Sequence, residues 1–248
     1  MKPYHIGIDK EDIKGAHIAL LTGDPGRVEK IASFLSEPKY LAISREYTSY
    51  LGKMNNQNIL VISTGMGGPS TAICVEELAQ IGIDTLIRIG TSGGMQKNVV
   101  AGDVVVAQGA IRAEGTSKEY LPIEFPAIAD IDITNALRKS ANDLKYNCHV
   151  GVVHCKDSFY GQHSPERMPV SYELLNKWDA WKKGGALCSE METSALFTVS
   201  STLGLKAGAI LYVIWNQELG DVKLDNDKKI DPDAAIKVAI KAVEKITK

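Results

Sequence analysis

The sequence predicts an α/β protein in which helices cover both faces of a central, mixed, twisted β-sheet. Two observations support this fold class. The strand-like runs are continuously apolar, as in strands buried on both faces, and helical patterns separate several of them. The 248 residues show no linker, internal repeat or low-complexity tract, so we expect one domain spanning residues 1–248.

Six short apolar runs predict strands. They are Ile18–Leu21, Ile59–Ser63, Thr85–Ile89, Val104–Ala107, His149–Val153 and Ala209–Ile214. Four stretches with helical spacing predict helices, at Pro69–Ile81, Asp132–Leu144, Glu190–Leu203 and from Asp231 onward. The polar segments Arg112–Pro126 and Phe159–Lys183 are predicted to be excursions that carry specificity loops at the strand ends.

Composition excludes several functional classes. Charged residues make up 23% of the chain and its net charge is −2, so we expect no basic surface for nucleic acid. The four scattered cysteines lack metal-ligand spacing and are expected to be free, buried thiols, as in a reducing compartment. With no signal peptide and no apolar run of about 18 residues, we expect a soluble cytoplasmic protein that does not bind membranes.

The segment Gly23–Arg27 follows the first predicted strand and begins a helical pattern. Asp24 can cap that helix, and Pro25 suits its first turn because the missing N–H is not needed there. Free backbone N–H groups and the Arg27 side chain then converge on a place suited to an anion. An ordinary Asp-Pro-Gly turn remains an alternative.

A second arginine, Arg88, ends another apolar run just before a predicted glycine turn, Gly90–Gly94. Small residues let backbone amides approach an anion, and Thr91 adds a hydroxyl. The segment matches neither a Walker loop nor the GxGxxG fingerprint. Arg45 is a third candidate cation in a β-like run, although taken alone it fits a surface ion pair better.

The segment Ser189–Glu192 has two interpretations. Ser189 and Glu192 have the spacing of a capping box, which is purely structural. Alternatively, Glu192 points into a cleft and accepts hydrogen bonds from both hydroxyls of a ribose, with Glu190 and Met191 beside the sugar. Local spacing alone favours the capping box.

The polar loop Phe159–Arg167 opens with aromatic residues. Phe159 can stack on a planar ligand, Gln162 offers a donor and an acceptor, and Arg167 offers donors only. That set suits the edge of a pyrimidine imide. A solvated loop with an aromatic anchor is the alternative.

Long ordered motifs carry a resemblance to a known family. In chain order they are GDPGRVEKIA, SREYTSY, STGMGGPSTAICVEELAQIG, RIGTSGG, GDVVVA, EFPA and EMETSALF. Together they resemble the hexameric nucleoside phosphorylases, most of all the bacterial uridine phosphorylases, over nearly the whole chain. The resemblance implies the nucleoside phosphorylase fold and a pentosyltransferase that splits uridine with phosphate into uracil and ribose 1-phosphate.

The resemblance also implies partners and alternatives. Phosphate is the co-substrate and nucleophile, no cofactor is needed, and the chain forms a hexamer built as a trimer of dimers. A purine or broad-specificity nucleoside phosphorylase is the main alternative. A hydrolytic nucleosidase would use water and would not need Arg27, Arg45 and Arg88 together. Under the phosphorolytic reading, Arg88→Ala is expected to abolish activity and leave the fold intact.

Site roles carry over from the family motifs residue by residue. The phosphate site comprises Gly23, Arg27, Arg88 and Thr91, with Arg45 lent by a neighbouring subunit. The ribose site comprises Met191, Glu192 and His5, the last from across the dimer interface. The base site comprises Phe159, Gln162 and Arg167, and catalysis is assigned to Arg27, Arg88, Thr91 and Glu192. Some members hold a monovalent cation, implying potassium near Glu46 and Ser70 at the dimer interface.

Two departures from the family pattern concern the base. Four residues separate Gln162 from Arg167, where relatives have one. Asn216 stands where purine-specific members place an aspartate that protonates the purine, and Gln217 replaces an arginine that supports the uracil pocket. Whether Arg167 or Gln217 contacts the base therefore stays open.

Overall fold

The computed structural model describes residues 2–219 and 231–247. Residues 1, 220–230 and 248 of the predicted domain lie outside this range, so the single-domain boundaries stay a prediction. The described strands are β1 (Ile18–Thr22), β2 (Ser36–Ser44), β3 (Tyr47–Met54), β4 (Gln57–Ser63), β5 (Thr85–Gly94), β6 (Val104–Ala113), β7 (Ala127–Ile128), β8 (Cys148–Lys156), β9 (Cys188–Glu190) and β10 (Lys206–Asn216). The described helices are α1 (Val28–Ala32), α2 (Gly68–Ile81), α3 (Ile131–Asp143), α4 (Phe159–His163), α5 (Ser171–Lys183), α6 (Thr193–Thr202) and α7 (Ala234–Ile246). Among the described residues, none of the helices combines the length and the hydropathy of a membrane-spanning segment.

All ten of these strands belong to one mixed sheet. Its order is β10-β6-β8-β9-β5-β1-β4-β3-β2, with β7 beside β6. Strand β10 also pairs in parallel with β5, so β5, β10, β6, β8 and β9 close a ring of pairings. The predicted fold class is confirmed, and the ring is an addition that the sequence pattern did not predict.

The sheet has an apolar core on each face. Along β1, Ala19 and Leu21 pack in the core that contains α2 and α6. Ile18 and Leu20 pack in the opposite core, with α1, α3 and α7. Since successive strand side chains point to opposite faces, coverage of both faces requires a continuous apolar run rather than an alternating one.

Several predicted boundaries change. Helix α2 fits its prediction and ends at Gly82, whose φ of 104° favours glycine. The predicted helix from Glu190 begins only at Thr193, because Cys188–Glu190 is a strand. The excursion Phe159–Lys183 is largely helical, as α4 and α5. Arg45 lies in the turn between β2 and β3 with φ of 53°, so its predicted β-like setting is wrong.

One edge of β5 is left partly uncovered. Strand β1 pairs with β5 only as far as Leu21 opposite Arg88, and β9 joins the same edge at Gly93. Among the described strands, none pairs with this edge between Ile89 and Ser92. The backbone there is therefore available to a ligand, at the carboxyl ends of the parallel strands β1, β4 and β5.

Candidate active site

A cavity of about 660 Å³ opens at the uncovered edge of β5. It brings together eight of the thirteen residues to which the family resemblance gives a site role, namely Gly23, Arg27, Glu46, Arg88, Thr91, Phe159, Met191 and Glu192. Five others are not among its lining residues: His5, Arg45, Ser70, Gln162 and Arg167. The chain thus gathers the predicted phosphate and ribose groups in one place, apart from the two predicted to cross a subunit interface.

Arg88 is the buried centre of this cavity. Its Nε donates to Glu190 Oε2 at 3.2 Å, and its Nη2 donates to Glu192 Oε2. Burial lowers the pKa of Arg88, but the charges of Glu192 and Glu190 outweigh burial and the net direction is upward. Its Nη1 is buried and has no hydrogen-bond partner among the described residues. A buried cationic N–H without a partner is costly, so this group calls for an acceptor.

The glycines beside Arg88 do not form the predicted turn. Gly90–Gly94 continues β5, and its backbone lies along the uncovered edge. A Cβ at residue 90 would lie 2.8 Å from Arg88 Nη2 and 2.7 Å from Leu211 Cδ2. Glycine is therefore required at position 90 for the guanidinium to lie against the strand.

The first glycine segment folds as the sequence predicts. Asp24 Oδ1 accepts a hydrogen bond from Gly26 N at 2.8 Å and caps a short 3₁₀ turn, Pro25–Arg27, that leads into α1. Arg27 lines the cavity and keeps a third of its side chain exposed. Burial lowers the pKa of Arg27, and the neighbouring Asp24 partly offsets this. Arg27 and Arg88 thus present two guanidinium groups to one volume.

The predicted capping box is wrong. Ser189 lies in β9, and the carboxylate of Glu190 instead accepts hydrogen bonds from Glu192 N and Thr193 N at the start of α6. Glu192 Oε1 accepts from Gly67 N at 2.7 Å, while its other oxygen accepts from Arg88. Burial raises the pKa of Glu192, and the Arg88 charge offsets this only in part. Each carboxylate oxygen has a further lone pair, which a ligand hydroxyl can use.

The base-binding candidates are divided between two cavities. Helix α4 replaces the predicted loop, and its first residue, Phe159, lines the main cavity. Gln162, from the same helix, lines a smaller cavity of about 190 Å³ next to it. Arg167 lines neither cavity, and its guanidinium lies 5.8 Å from the centre of the Tyr160 ring. Lys156, which the sequence analysis did not single out, lines both.

A chain of hydrogen bonds runs along the boundary between the cavities. Lys156 Nζ donates to Ser189 Oγ at 2.9 Å, and Ser189 Oγ donates to Gln162 Oε1 at 2.7 Å. Gln162 Nε2 then donates to Gln217 Oε1 at 3.1 Å. His154 Nδ1 lies 3.0 Å from the same Ser189 hydroxyl. Because a hydroxyl has one proton, this arrangement places the His154 proton on Nδ1.

The sequence feature that could have identified Lys156 as a site residue is its position at the carboxyl end of a parallel strand. The predicted strand stopped at Val153, whereas β8 continues to Lys156. The predicted strand ended three residues too early, so it left Lys156 outside the strand.

Asn216 plays a structural part, since its amide donates to the carbonyls of Gln96 and Val99.

The two residues predicted to cross an interface lie away from the cavity. His5 Nδ1 is 2.6 Å from Glu77 Oε1, and its ring packs edge-on against Tyr4. The guanidinium of Arg45 lies 5.8 Å from the centre of the same exposed Tyr4 ring. These three side chains form one surface cluster.

Comparison with known proteins assigns the family. The model described as "Phosphorylase superfamily" matches residues 17–248. The chain belongs to the phosphorylase superfamily. This membership confirms the resemblance seen in the sequence motifs.

Curated relatives within the superfamily match nearly the full chain. A uridine phosphorylase of Treponema pallidum is 51% identical over 241 residues, covering 97% of this chain and 93% of the relative. A uridine phosphorylase of Escherichia coli is 38% identical over 246 residues, covering 98% and 97%. A guanosine phosphorylase of Halorubrum lacusprofundi is 36% identical over 249 residues, covering 98% of each chain.

Proposed function

We propose that this member of the superfamily catalyses the reversible phosphorolysis of uridine to uracil and ribose 1-phosphate. The observation that carries the proposal is the buried Arg88 Nη1, which has no partner among the described residues and lies at the uncovered edge of β5. Phosphate supplies the acceptor that this group lacks. The uridine phosphorylases among the relatives support the choice of substrate.

The reaction follows from the charges in the cavity. Arg27 and Arg88 bind and orient phosphate, for which the forked guanidinium donors are well suited. Glu192 accepts hydrogen bonds from the ribose hydroxyls. As the glycosidic bond lengthens, positive charge develops on the sugar and the phosphate beneath it stabilises that charge. Phosphate is itself the nucleophile, so no covalent enzyme intermediate is required.

A purine substrate is the alternative, and the guanosine phosphorylase relative is its support. Asn216, the last residue of β10, argues against it. The Asn216 amide already donates to two main-chain carbonyls, and its oxygen accepts from Glu218 N. An amide cannot supply a proton to a purine leaving group, so this chain lacks a general acid there.

The active assembly is proposed to be a homo-oligomer, a hexamer made of three dimers. His5 and Arg45 lie outside the cavity of their own chain, which suits residues lent to a neighbouring copy. Glu46 and Ser70 lie side by side, since a Cβ built on Gly65 would be 2.8 Å from Glu46 Cγ and 3.3 Å from Ser70 Oγ. Their side-chain oxygens would be ligands for a potassium ion between subunits.

The four cysteines are free, which supports a cytoplasmic location.

The test is the loss of uridine absorbance with purified protein, with and without phosphate, and with inosine in parallel. Phosphate-dependent loss of uridine alone is the expected result. Cleavage of uridine without phosphate would contradict phosphorolysis, and faster cleavage of inosine would contradict the choice of base.

A further inference from the structure

The main cavity holds one cation apart from the two phosphate-site arginines. Among the described residues that line it, Arg27, Arg88 and Lys156 are the arginine and lysine side chains. Burial and the Lys156 charge lower the pKa of His163, the remaining basic residue there. Lys156 donates a hydrogen bond to Ser189, which lines the same cavity, and Lys156 also lines the smaller cavity that contains Gln162.

Lys156 is buried and has unused hydrogen-bonding capacity. Its side chain forms one hydrogen bond within the described part of the chain, to Ser189 Oγ, and no ion pair there. An ammonium has three N–H donors, so two are left for a ligand. Burial lowers the pKa of Lys156, and the charges of Glu190 and Glu192 partly offset this. An anion placed beside this ammonium would relieve the cost of burying it.

The other two candidates for contact with the base, Arg167 and Gln217, bring no charge into the main cavity. Arg167 lies over the Tyr160 ring outside both cavities, and Gln217 is neutral and already accepts a hydrogen bond from Gln162. Gln162 in turn accepts from Ser189, the same hydroxyl to which Lys156 donates. Hydrogen bonds arranged in series polarise one another, so the charge of Lys156 also strengthens the Gln162 end of the chain.

We infer that Lys156 is a catalytic residue that binds the pyrimidine base and stabilises the negative charge it acquires on leaving. The inference rests on the proposed function. In the step concerned, a phosphate oxygen forms a bond to the anomeric carbon as the bond from that carbon to uracil N1 breaks. The bonding electron pair passes to the uracil ring and is shared by its oxygens, to which Lys156 donates. Lys156 keeps its proton, and the uracil anion takes one from water on release.

The experiment compares two substrates that differ in leaving-group quality. Fluorine withdraws electrons from the base, so 5-fluorouridine needs less stabilisation of its leaving anion than uridine does. In Lys156→Met, kcat/KM for uridine is expected to fall on the order of 100-fold, as when one oxyanion donor is removed. For 5-fluorouridine the fall is expected to be several-fold smaller.

Controls separate this role from a structural one. Lys177→Met removes an exposed lysine whose partner is Glu173 on α5, and it is expected to leave both substrates unchanged. Phosphate should raise the Tm of Lys156→Met as much as that of the wild type, which shows an intact anion site. If Lys156→Met does not fold, Lys156→Gln serves in its place.

Each outcome decides the matter. Equal falls for both substrates, or no fall, would overturn the role of Lys156 while wild-type turnover of uridine leaves the proposed function standing. A wild-type enzyme without phosphate-dependent cleavage of uridine would overturn the proposed function, and the inference with it.

Discussion

The Nε atom of Arg88 donates to Glu190 Oε2 at 3.2 Å, and the same carboxylate accepts the backbone N–H groups of Glu192 and Thr193. Glu190 therefore connects the central arginine of the cavity to the first turn of α6. Because Glu192 immediately precedes that helix, one carboxylate fixes the positions of both the phosphate-site guanidinium and the ribose-site carboxylate.

Glu190→Gln should weaken phosphate binding. The amide keeps the shape of the side chain but loses the charge that holds Arg88 and one acceptor that caps α6. We expect the KM for phosphate to rise roughly 10-fold and the free energy of unfolding to fall by about 1–3 kcal/mol. Initial rates at saturating uridine and urea unfolding measure the two effects. Glu37→Gln, in an exposed pair with Lys53, is the control. An unchanged KM for phosphate would show that Glu190 does not position Arg88.

Replacing Arg88 should cost both activity and stability. The expectation that Arg88→Ala leaves the fold intact needs revision, because the guanidinium lies buried between two carboxylates. Removing it leaves buried, uncompensated charge, at a cost of about 3–5 kcal/mol. Arg27→Met, at a partly exposed position, should raise the KM for phosphate without this loss. Equal stability of the two variants in urea unfolding would contradict the buried-charge argument.

Gly90→Ala should act through Arg88. The added methyl would lie 2.8 Å from Arg88 Nη2, so the guanidinium must move. We expect kcat/KM for phosphate to fall at least 10-fold, on the order of the loss from a misplaced binding group. Gly115→Ala adds a methyl with no neighbour closer than 3.6 Å and tests whether a methyl group is harmful in itself. Wild-type kinetics in Gly90→Ala would mean that the strand accommodates a side chain there.

Stability should fall on the acid side because of His154. Burial and the Lys156 charge lower the pKa of His154 from its ordinary value of 6.5 to about 3. Below pH 6.5 this histidine is therefore protonated in the unfolded chain, whereas in the folded chain it stays neutral down to about pH 3. The free energy of unfolding falls by about 1.4 kcal/mol per pH unit, or about 2 kcal/mol between pH 6.5 and pH 5.

His154→Asn tests this contribution, since an asparagine amide can replace the Nδ1 donor to Ser189. The wild type should lose about 2 kcal/mol more than the variant between pH 6.5 and pH 5. Urea unfolding at one fixed protein concentration measures the difference, because oligomers couple stability to concentration. Between pH 7 and pH 8 the difference between the two proteins should stay constant. Parallel acid profiles would show that His154 is not the group responsible.

Much of the fold could be predicted because burial on both sheet faces leaves a local signal. Ile18–Leu21 is apolar throughout, and each of its residues packs in one of the two apolar cores. Strand β2 was missed for the opposite reason, since it has no buried residue, and its partner β3 is only partly buried. Ring closure depends on pairing between β10 and both β5 and β6, which no local pattern encodes.

The site was predictable where one segment contains the whole interaction. Asp24 caps its own turn, so its role follows from the adjacent residues. The role of Glu190 needed a partner, Arg88, that is 102 positions away in the chain. The sequence therefore suggested Ser189 as the cap, whereas the structure uses Ser189 to connect Lys156 and Gln162. Contacts between distant segments decide such cases.

The uncovered edge of β5 means that the floor of the cavity is main chain, held in place by strands at both ends. Exchanging side chains that line the cavity, at Phe159 or Trp215 for instance, changes its walls and leaves that main chain in place. A few replacements in such a scaffold can therefore change the preferred base, while phosphate still binds in the same place to receive the ribosyl group.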